Sequence, residues 1–481
     1  MPAKHLPNWR WGLVALFLIW LSVALWNVVK PLPQGMAYAG SARATHSVTF
    51  LADLTWVDNN GQRQTRQTVF DRQLALINQA ERLIVADLFL FNEFAGDSNA
   101  DGLEPLSDML ADALIKRKTE QPGVRIIFIT DPINQLYGGV TSPQLSAMQA
   151  AGIEIVVTDL DRLRDSNPLW SATWRLCCRW FGNSSEDGWL PNPVGDQPVS
   201  LRTWLRLLNF KANHRKTLVV DQGDQWAALV TSANPHDASS AHGNTALLVT
   251  GPAALDVLAT ERAISAFSRP ELQWPSIRLA EHRAATGITA RAITEAAIRD
   301  AVISALDKAG PGSRVDLAMF YLSHRGVIRA LARAKRRGAD VRLLLDPNEH
   351  AFGRRKNGVP NRPVAAELKK HDIKIRWCHT TGEQCHSKQL LVRYADRSAR
   401  LISGSANYTR RNLDNFNPET AMEVRGPVEV ATMKAAAEWF EMRWNNAGDR
   451  SFSLDYQHYA DDSWVRYWQY RIMEATGLST F

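Results

Sequence analysis

The sequence predicts an α/β fold made of two homologous halves that follow one membrane-spanning helix. Three observations lead to this prediction: a long apolar run near the N-terminus, an alternation of β-branched runs with amphipathic stretches, and a repeat of those segments in one order. The 481 residues can form two ordinary domains, and 45% apolar with 22% charged content is typical of a globular protein. The net charge of +7 suits anionic partners. The sequence has no dense Lys/Arg tract of the kind that would indicate nucleic-acid binding.

The first element is the apolar run Trp11–Val29. As a helix, a run of this length reaches roughly 28 Å, close to the hydrocarbon thickness of a bilayer. Basic residues precede it: Lys4, His5 and Arg10. The positive-inside rule therefore predicts residues 1–10 in the cytoplasm, 11–30 in the inner (cytoplasmic) membrane as a single pass, and the catalytic part exported.

The alternative for this run is a cleaved signal peptide, because Ala37-x-Ala39 offers a processing site. The apolar run is longer than a usual signal core, and the site lies well beyond it, which favours an uncleaved anchor. Residues 31–44 are then a linker. Both interpretations predict that the globular part is exported.

The repeat consists of six segments that occur twice in the same order. The matched pairs are 82–91 with 313–322, 124–132 with 341–347, 152–159 with 372–379, 213–221 with 385–393, 228–234 with 400–407, and 244–252 with 419–427. Such a series is hard to ascribe to chance. We therefore expect two halves, 45–270 and 285–450, each a mixed sheet flanked by helices, facing each other across a pseudo-dyad.

Two segments do not fit the repeat. The insert 160–210 interleaves tryptophans with arginines, namely Trp170, Trp174, Trp180, Trp189 and Trp204 with Arg175, Arg179, Arg202 and Arg206. Trp with Arg is typical of a membrane interface, although an ordinary packed subdomain would also explain the insert. The tail 451–481 is aromatic and predicts a docked or interfacial helix.

The chemistry that the sequence offers lies in two His-x-Lys pairs, His214 with Lys216 and His386 with Lys388. Strand residues alternate, so both side chains of a pair point to one face. A neutral imidazole can attack phosphorus, and an ammonium group can hold phosphoryl oxygens and stabilise the transition state. Two facing halves supply a nucleophile and an acid on opposite sides of one phosphodiester, with no metal or other cofactor.

Each pair is followed by a Ser-x-Asn sequence, Ser232 with Asn234 and Ser405 with Asn407. We expect these side chains to share a face and to bind or support the phosphate.

Together with Asp221, these residues resemble the paired HKD motifs of the phospholipase D superfamily, over nearly the whole exported part. The anchor makes the chain most similar to bacterial phospholipase D-like and cardiolipin synthase-like enzymes. The resemblance implies two phospholipase D-like halves that form one site in a monomer. It also implies that His214 forms a phosphohistidine and that His386 protonates the leaving alcohol, then activates water or an acceptor alcohol. The sequence alone leaves the reverse assignment open.

The resemblance further implies that a carboxylate after each Ser-x-Asn orients the histidine of the other half. Glu419 occupies that position in the second half, and Asn244 in the first. An amide stabilises an imidazolium less well than a carboxylate does, which suits His214 as the nucleophile.

The last residue of the motif differs between the halves, with Asp221 in the first and Arg393 in the second. Both are an odd number of positions beyond the lysine, so we expect them on the opposite strand face. We predict that Arg393 lies at the strand end and pairs with an acid or with solvent.

The four cysteines are Cys177, Cys178, Cys378 and Cys385. Export permits a disulfide between Cys378 and Cys385 just ahead of His386, and free buried thiols are the alternative. Cys378-His379 with Cys385-His386 is a weaker alternative as a metal site, because the spacing is not that of a zinc finger.

The function predicted from these features is transfer or hydrolysis at a phospholipid phosphodiester at the membrane surface, with no stable nucleic-acid partner. Two alternatives remain: an exported metal-independent nuclease of the same superfamily, and a catalytically inactive lipid-binding scaffold. The sequence does not determine whether the acceptor is water or an alcohol.

Overall fold

The computed structural model describes residues 8–45, 47–94, 102–180, 188–193, 195, 197–277, 287–351 and 354–481. Lys4, His5, the predicted start of the second half at 285 and parts of the insert 160–210 lie outside these residues. The described chain contains two large mixed sheets with helices packed against them. The predicted α/β class is confirmed.

The α-helices in chain order are α1 (Asn8–Val29), α2 (Val69–Gln79), α3 (Leu106–Glu120), α4 (Pro143–Ala150), α5 (Pro168–Thr173), α6 (Leu201–Leu207), α7 (Pro252–Ser268), α8 (Ala296–Lys308), α9 (Arg325–Arg336), α10 (Asn361–Lys369), α11 (Arg410–Leu413), α12 (Ala431–Asn445) and α13 (Trp464–Thr476).

The strands of the first part of the chain are β1 (Arg43–Ala44), β2 (Val48–Ala52), β3 (Leu54–Val57), β4 (Arg63–Arg66), β5 (Leu83–Leu88), β6 (Arg125–Thr130), β7 (Glu154–Val157), β8 (Lys216–Gln222), β9 (Gln225–Thr231) and β10 (Thr245–Thr250). Those of the remainder are β11 (Thr289–Thr294), β12 (Arg314–Met319), β13 (Asp340–Leu345), β14 (His350–Ala351), β15 (Arg354–Arg355), β16 (Lys374–Cys378), β17 (Lys388–Arg393), β18 (Ser398–Gly404), β19 (Thr420–Pro427) and β20 (Ser453–Asp455).

The two large sheets share one strand order. The first sheet runs β2-β10-β9-β8-β5-β6-β7, and the second runs β1-β11-β19-β18-β17-β12-β13-β16-β20. In both, three strands are parallel (β5, β6, β7 and β12, β13, β16), and the strands that carry the His-x-Lys motifs join them antiparallel. Each repeated sequence segment therefore forms the same strand in both sheets.

The central strands are buried on both faces. Every residue of β5 is buried, as expected for a strand covered on both sides. Apolar side chains of β8, β9 and β10 pack with those of β17, β18 and β19 in one core between the sheets, to which α7 and α12 also contribute. A second and a third core lie where the remaining helices pack against each sheet. Because the sheets meet at β10, β9, β18 and β19, the ends of β8 and β17 come close together.

α1 leaves most of its apolar side chains exposed and is long and apolar enough to cross a membrane; a signal sequence passes the same test. Its C-terminal part contacts the insert. Nε1 of Trp20 donates to Oγ1 of Thr173 in α5 at 3.0 Å, and the backbone nitrogen of Asp165 donates to the carbonyl of Asn27 at 2.9 Å. The insert therefore lies beside the C-terminal part of α1.

Residues 37–40, in the predicted linker, pair with the edge of the second sheet. Ala39 forms a β-bridge with Ile293, and the nitrogen of Gly40 donates to the carbonyl of Ala292 at 2.9 Å. β1 adds to the same edge, and β20 of the predicted tail adds to the opposite edge. Linker and tail are thus structural parts of the second sheet.

The C-terminal segment returns to the insert. α13 ends at Gly477, which has φ +78°. A Cβ at this position would lie 1.7 Å from the carbonyl oxygen of Ser166. Both the left-handed backbone and this close approach require glycine. The residues after α13 therefore lie directly against the insert.

Candidate active site

Each His-x-Lys pair lies at the start of a central strand. Lys216 is the first residue of β8 and Lys388 the first of β17, with the histidine two residues ahead in both halves. Nζ of each lysine donates to the backbone carbonyl of its own motif's histidine, His214 or His386, at 2.7 Å in both cases. The two motifs therefore share one local geometry.

An acid from the other half holds His214. Nδ1 of His214 lies 2.8 Å from Oε1 of Glu419, which is fully buried. Oγ of Ser405 and Nδ2 of Asn412 donate to the same carboxylate. A carboxylate only accepts, so Nδ1 of His214 carries the proton and Nε2 keeps its lone pair. This tautomer leaves the free nitrogen of His214 as a nucleophile.

An amide from the first half holds His386. Nδ1 of His386 lies 3.2 Å from Oδ1 of Asn244. Nδ2 of Asn244 donates to Oδ2 of the buried Asp53 at 3.1 Å, which determines which end of the amide faces the histidine. Oγ of Ser232 also donates to Oδ1 of Asn244, at 3.3 Å. Asn244 therefore accepts from Nδ1–H, and Nε2 of His386 is the available base.

The two serines lie behind the cavity, whereas the two asparagines line it. Ser232 and Ser405 are fully buried and bond to the side chains that hold the histidines, and Asn234 and Asn407 line the cavity itself. This corrects the expectation that Ser and Asn share a face. β9 ends at Thr231 and β18 at Gly404, so the alternation of a strand no longer applies to the residues that follow.

An aspartate holds the loop ahead of each histidine. Oδ2 of Asp131 accepts from the backbone nitrogen of Asn213 at 2.6 Å, and Oδ2 of Asp346 accepts from that of Cys385 at 2.7 Å. Burial raises the pKa of each aspartate to about 7, although the backbone N–H donors oppose the shift. These residues follow the equivalent strands β6 and β13, so each half supports its own motif in the same way.

A phenylalanine packs against each His-Lys pair. The ring of Phe89 lies 4.7 Å from that of His214, and Nζ of Lys216 lies 4.9 Å from its centroid. Phe320 has the same relationship to His386, with ring centroids 5.1 Å apart. Nζ of Lys388 lies 5.2 Å from the Phe320 centroid. The rings exclude water from one side of each pair and leave the ammonium groups a favourable π-face.

The two motifs open into one cavity of about 470 Å³. Both histidines line it. Its remaining lining is mainly apolar and includes Phe89, Leu90, Phe94, Leu103, Ile133, Leu207, Phe210, Phe320, Tyr321 and Phe481. The size and lining suit a ligand with a polar reacting group and an apolar body.

Burial lowers the pKa of the catalytic candidates in the free protein. It lowers the pKa of His214 to about 4, against the opposing charge of Glu419, and the pKa of Lys216 to about 7. Burial also lowers the pKa of His386 and of Lys388 well below their usual values, and neighbouring lysine charges add to the effect. A bound phosphodiester anion would raise all four pKa values, because an opposite charge favours the protonated forms.

One further acid links several parts of the site. Oε1 of Glu295 accepts from Nη2 of Arg215 at 2.9 Å and from the backbone nitrogen of Glu419 at 3.0 Å. Its Oε2 accepts from the backbone nitrogen of Ala37 at 2.6 Å. Glu295 therefore connects the residue after His214, the acid that holds His214, and the segment that follows α1.

The mismatched motif ends lie away from the cavity. Asp221 is buried and accepts from the backbone nitrogens of residues 81–83, at 3.2, 2.9 and 2.8 Å. Arg393 ends β17, where its Nη2 donates to Oδ2 of the buried Asp316 at 2.6 Å. Asp221 and Arg393 thus each bind the neighbouring strand of their own half, although the two side chains carry opposite charges.

The cysteines form the disulfides Cys177–Cys178 and Cys378–Cys385. The second closes the loop directly ahead of His386. Nη2 of Arg443 lies 3.0 Å from Sγ of Cys385 and covers this bridge. Among the described residues no group of three or more His, Cys, Asp or Glu side chains is arranged to hold a metal ion.

Several of these residues were not among those predicted from the sequence. Phe89 with Phe320 and Asp131 with Asp346 stand at equivalent positions of segments already matched between the halves, so comparison within the repeat could have found them. Asp53 and Glu295 lie outside the matched segments, and only the fold brings them to the site. His236 and His242, which also line the cavity, follow Ser-Ala-Asn in a loop that differs between the halves.

Comparisons with known proteins found one family model and several solved structures that resemble the chain. Residues 302–444 match the family described as cardiolipin synthase, PLD-like domain. The chain is similar to phosphatidylserine synthase from Haemophilus influenzae Rd KW20, at 12% identity, with 92% of each chain covered and a TM-score of 0.50. No curated protein matches the chain.

Two further solved structures are more distant. Polyphosphate kinase from Porphyromonas gingivalis is 13% identical over 90% of this chain, with a TM-score of 0.45, and the chain spans 54% of its length. Nuc from Salmonella typhimurium, a phospholipase D family member, is 20% identical over 35% of this chain and 98% of its own, with a TM-score of 0.27.

The resemblance to the phospholipase D superfamily is confirmed. Residues 302–444 resemble a PLD-like domain, and the chain as a whole shares the fold of phosphatidylserine synthase.

Proposed function

We propose that the protein is a phosphatidyltransferase that exchanges the headgroup alcohol of an anionic phospholipid through a phosphohistidine intermediate. One observation carries the proposal: the histidines of the two His-x-Lys motifs line one cavity, and each is held at Nδ1 by a side chain from the opposite half. Both Nε2 atoms are thereby free for chemistry.

In the first step, Nε2 of His214 attacks phosphorus. The new P–N bond forms as the P–O bond to the headgroup breaks, and the leaving oxygen takes a proton from Nε2 of His386, which is doubly protonated once the anionic substrate is bound. Glu419 stabilises the positive charge that develops on His214. Lys216 and Lys388 hold the non-bridging oxygens and stabilise the added charge on phosphorus.

In the second step, His386 acts as the base. It takes the proton of an acceptor hydroxyl while that oxygen bonds to phosphorus and the P–N bond breaks, which restores neutral His214. Asn244 carries no charge and so does not bias His386 toward one protonation state, whereas Glu419 favours the cationic state of His214. This difference supports His214 as the nucleophile and His386 as the acid and base.

The surroundings of the cavity support a lipid substrate. The insert beside α1 exposes large apolar side chains, as does α13: Leu169, Leu176, Trp180, Trp189, Leu201, Trp464, Val465, Trp468 and Ile472. Tryptophan side chains of this kind prefer the headgroup level of a bilayer. Leu207 and Phe210, at the end of the insert, line the cavity, so acyl chains could reach the site along this surface.

Charge at the cavity supports an anionic lipid. Arg63, Arg354, Arg355 and Lys356 line it, and the acid among the described lining residues is Glu383, which lies 3.7 Å from Arg63. We also propose that α1 is retained as an anchor with the catalytic part exported. The pairing of residues 37–40 with β11 and the disulfide ahead of His386 support this topology.

The test uses the full chain in lipid nanodiscs. Phosphatidylglycerol and phosphatidylcholine are supplied in turn, and lipid products are identified by mass spectrometry, with acid quenching to detect phosphohistidine. We expect headgroup exchange on phosphatidylglycerol, which His214→Ala and His386→Ala abolish and His458→Ala, in an exposed loop, leaves intact. Cleavage of an oligonucleotide with no turnover of either lipid would instead identify a nuclease.

A further inference from the structure

A row of three imidazoles extends from the active site along one wall of the cavity. The rings of His386 and His242 have centroids 5.8 Å apart, and those of His242 and His236 are 5.9 Å apart. All three residues line the cavity and are buried. Two of them have no part in the mechanism described above.

One ring nitrogen of His242 lacks a hydrogen-bond partner. Nδ1 of His236 bonds to Oγ of Ser239 at 2.7 Å, which orients that ring. Nδ1 of His242, in contrast, is buried and has no hydrogen-bond partner among the residues that the structure describes. A buried polar nitrogen without a partner lowers stability, so its retention in the wall of a cavity favours a role in binding.

The row is present on only one side of the site. His242 stands two residues before Asn244, and the residue two before Glu419 is Asn417, whose Oδ1 accepts from the backbone nitrogen of Ala212 at 3.3 Å. His236 stands two residues after Asn234, where the other half has Thr409. The imidazoles therefore lie beside His386, the residue that handles the alcohol in the proposed function, and not beside His214.

The chemistry of the pair indicates a neutral, hydroxylated ligand. Burial lowers the pKa of His236 to about 3 and that of His242 well below its usual value, so both are neutral. A neutral imidazole offers one donor and one acceptor, which is the complement of a hydroxyl group. Among the described lining residues, Glu383 is the acid that could attract a cationic headgroup, and it already accepts from the backbone nitrogen of Thr381 at 2.9 Å.

We propose that His242 and His236 form a subsite for a second hydroxyl of the acceptor, which makes the protein selective for polyhydric alcohols of the glycerol type. The subsite rests on the proposed function, because it places the reacting hydroxyl at His386. That hydroxyl gives its proton to Nε2 of His386 and bonds to phosphorus as the P–N bond to His214 breaks. The neighbouring hydroxyl binds His242, and His236 extends the same wall.

The test measures acceptor preference with two donors, the anionic phosphatidylserine and bis(p-nitrophenyl) phosphate. Glycerol competes with 1-propanol at equal concentration, and a separate arm supplies phosphatidylglycerol to distinguish a lipid headgroup from the free alcohol. We expect the full chain to prefer glycerol at least tenfold. His242→Phe should lower that preference about tenfold or more, while transfer to 1-propanol persists.

Three variants complete the test. His242→Gln keeps a donor and an acceptor and should restore part of the preference; it also serves if His242→Phe does not fold. His236→Gln should have a smaller effect, and His458→Gln, in the exposed loop after β20, none. An unchanged glycerol preference in active His242→Phe and His242→Gln would overturn the subsite.

The two donors separate the two proposals. Turnover of bis(p-nitrophenyl) phosphate with glycerol preference but no lipid turnover would reject the lipid substrate and retain the subsite. Lipid transfer with equal use of glycerol and 1-propanol would retain the proposed function and reject the subsite. Absence of turnover on both donors would reject both.

Discussion

Glu419 and His214 are 205 positions apart in the chain, yet Oε1 of the acid lies 2.8 Å from Nδ1 of the histidine. The contact crosses from the second half to the first, and its counterpart, Asn244 to His386, crosses in the opposite direction. Each half therefore supplies a reactive group to its own strand and an orienting group to the other. Neither half has a complete site alone.

Replacing Glu419 with Gln should lower kcat by roughly 10²–10⁴-fold, because the variant keeps the shape but loses the charge that stabilises cationic His214. Steady-state kinetics on the lipid donor measure the effect. Glu423→Gln is a matched control, since Glu423 is a buried acid on β19 that pairs with Arg291 outside the cavity. An unchanged kcat in Glu419→Gln would remove this acid from the mechanism.

Replacing Asn244 with Asp should destabilise the protein by about 2–4 kcal/mol, because a second buried carboxylate would then lie beside Asp53. Burial already raises the pKa of Asp53 to about 6. Adding Asp53→Asn should restore stability, since the new amide can donate to the new carboxylate and still accept from Thr68 and Val69. Chemical denaturation measures both variants, and equal stability of the single and double variants would contradict this account.

Lys216 should contribute one limb to the pH dependence of kcat/KM, in addition to that of His386, which must also be protonated to act. The pKa of Lys216, about 7 in the free protein, means that its charge is present at lower pH and is lost as pH rises through 7, so kcat/KM should fall about tenfold per unit above that value. His214, with a pKa of about 4, is already neutral across this range. The arginine of Lys216→Arg keeps its charge, so the alkaline limb of kcat/KM should move to higher pH even if the activity is lower. If the limb does not move, a group other than Lys216 is responsible for it.

Replacing Arg393 with Ala should lower stability by about 1–2 kcal/mol and leave kcat of the folded protein unchanged. The change removes one of the two arginines beside buried Asp316, whose pKa burial already raises against the opposing charges of Arg342 and Arg393. Thermal and chemical unfolding measure the loss. Arg397→Ala is the control, because that arginine is exposed in the adjacent turn, and a large fall in kcat for Arg393→Ala would place Arg393 in the catalytic machinery after all.

Replacing Trp180 and Trp189 with Ala should raise the apparent KM for lipid in vesicles and leave turnover of bis(p-nitrophenyl) phosphate unchanged, because both side chains are exposed beside α1 and not at the cavity. Met109→Ala, at an exposed position of α3, provides the control. Equal loss on the soluble donor would indicate that the insert supports the fold and does not contact lipid.

The repeat explains how much of the fold was predictable. Six segments that occur twice determine six strands of each sheet, because the same apolar pattern and the same flanking residues form the same strand in both halves. β1 and β20 were not predicted, since short edge strands have little periodicity of their own. Their places depend on residues far away in the chain.

The site was predictable to the extent that it is repeated. His214, Lys216, His386 and Lys388 stand in a motif, and the fold brings the two histidines to one cavity; the catalytic roles of all four stay predictions. Asp53 shows where such reasoning ends, because its contact with Asn244 joins positions 191 residues apart and lies outside the matched segments. Ser232 does not lie on the predicted face, because β9 ends one residue before it and the alternation of strand side chains no longer applies there.

Residues 37–40 pair with β11, and the C-terminal part of α1 bonds to the insert. The segment between α1 and the active site is therefore short and held at both ends, unlike a flexible tether. With α1 anchored in a bilayer, as proposed, we expect the mouth of the cavity to stay at a constant distance from that bilayer. On that proposal, the protein acts on lipids of its own membrane and not on those of a vesicle across an aqueous gap.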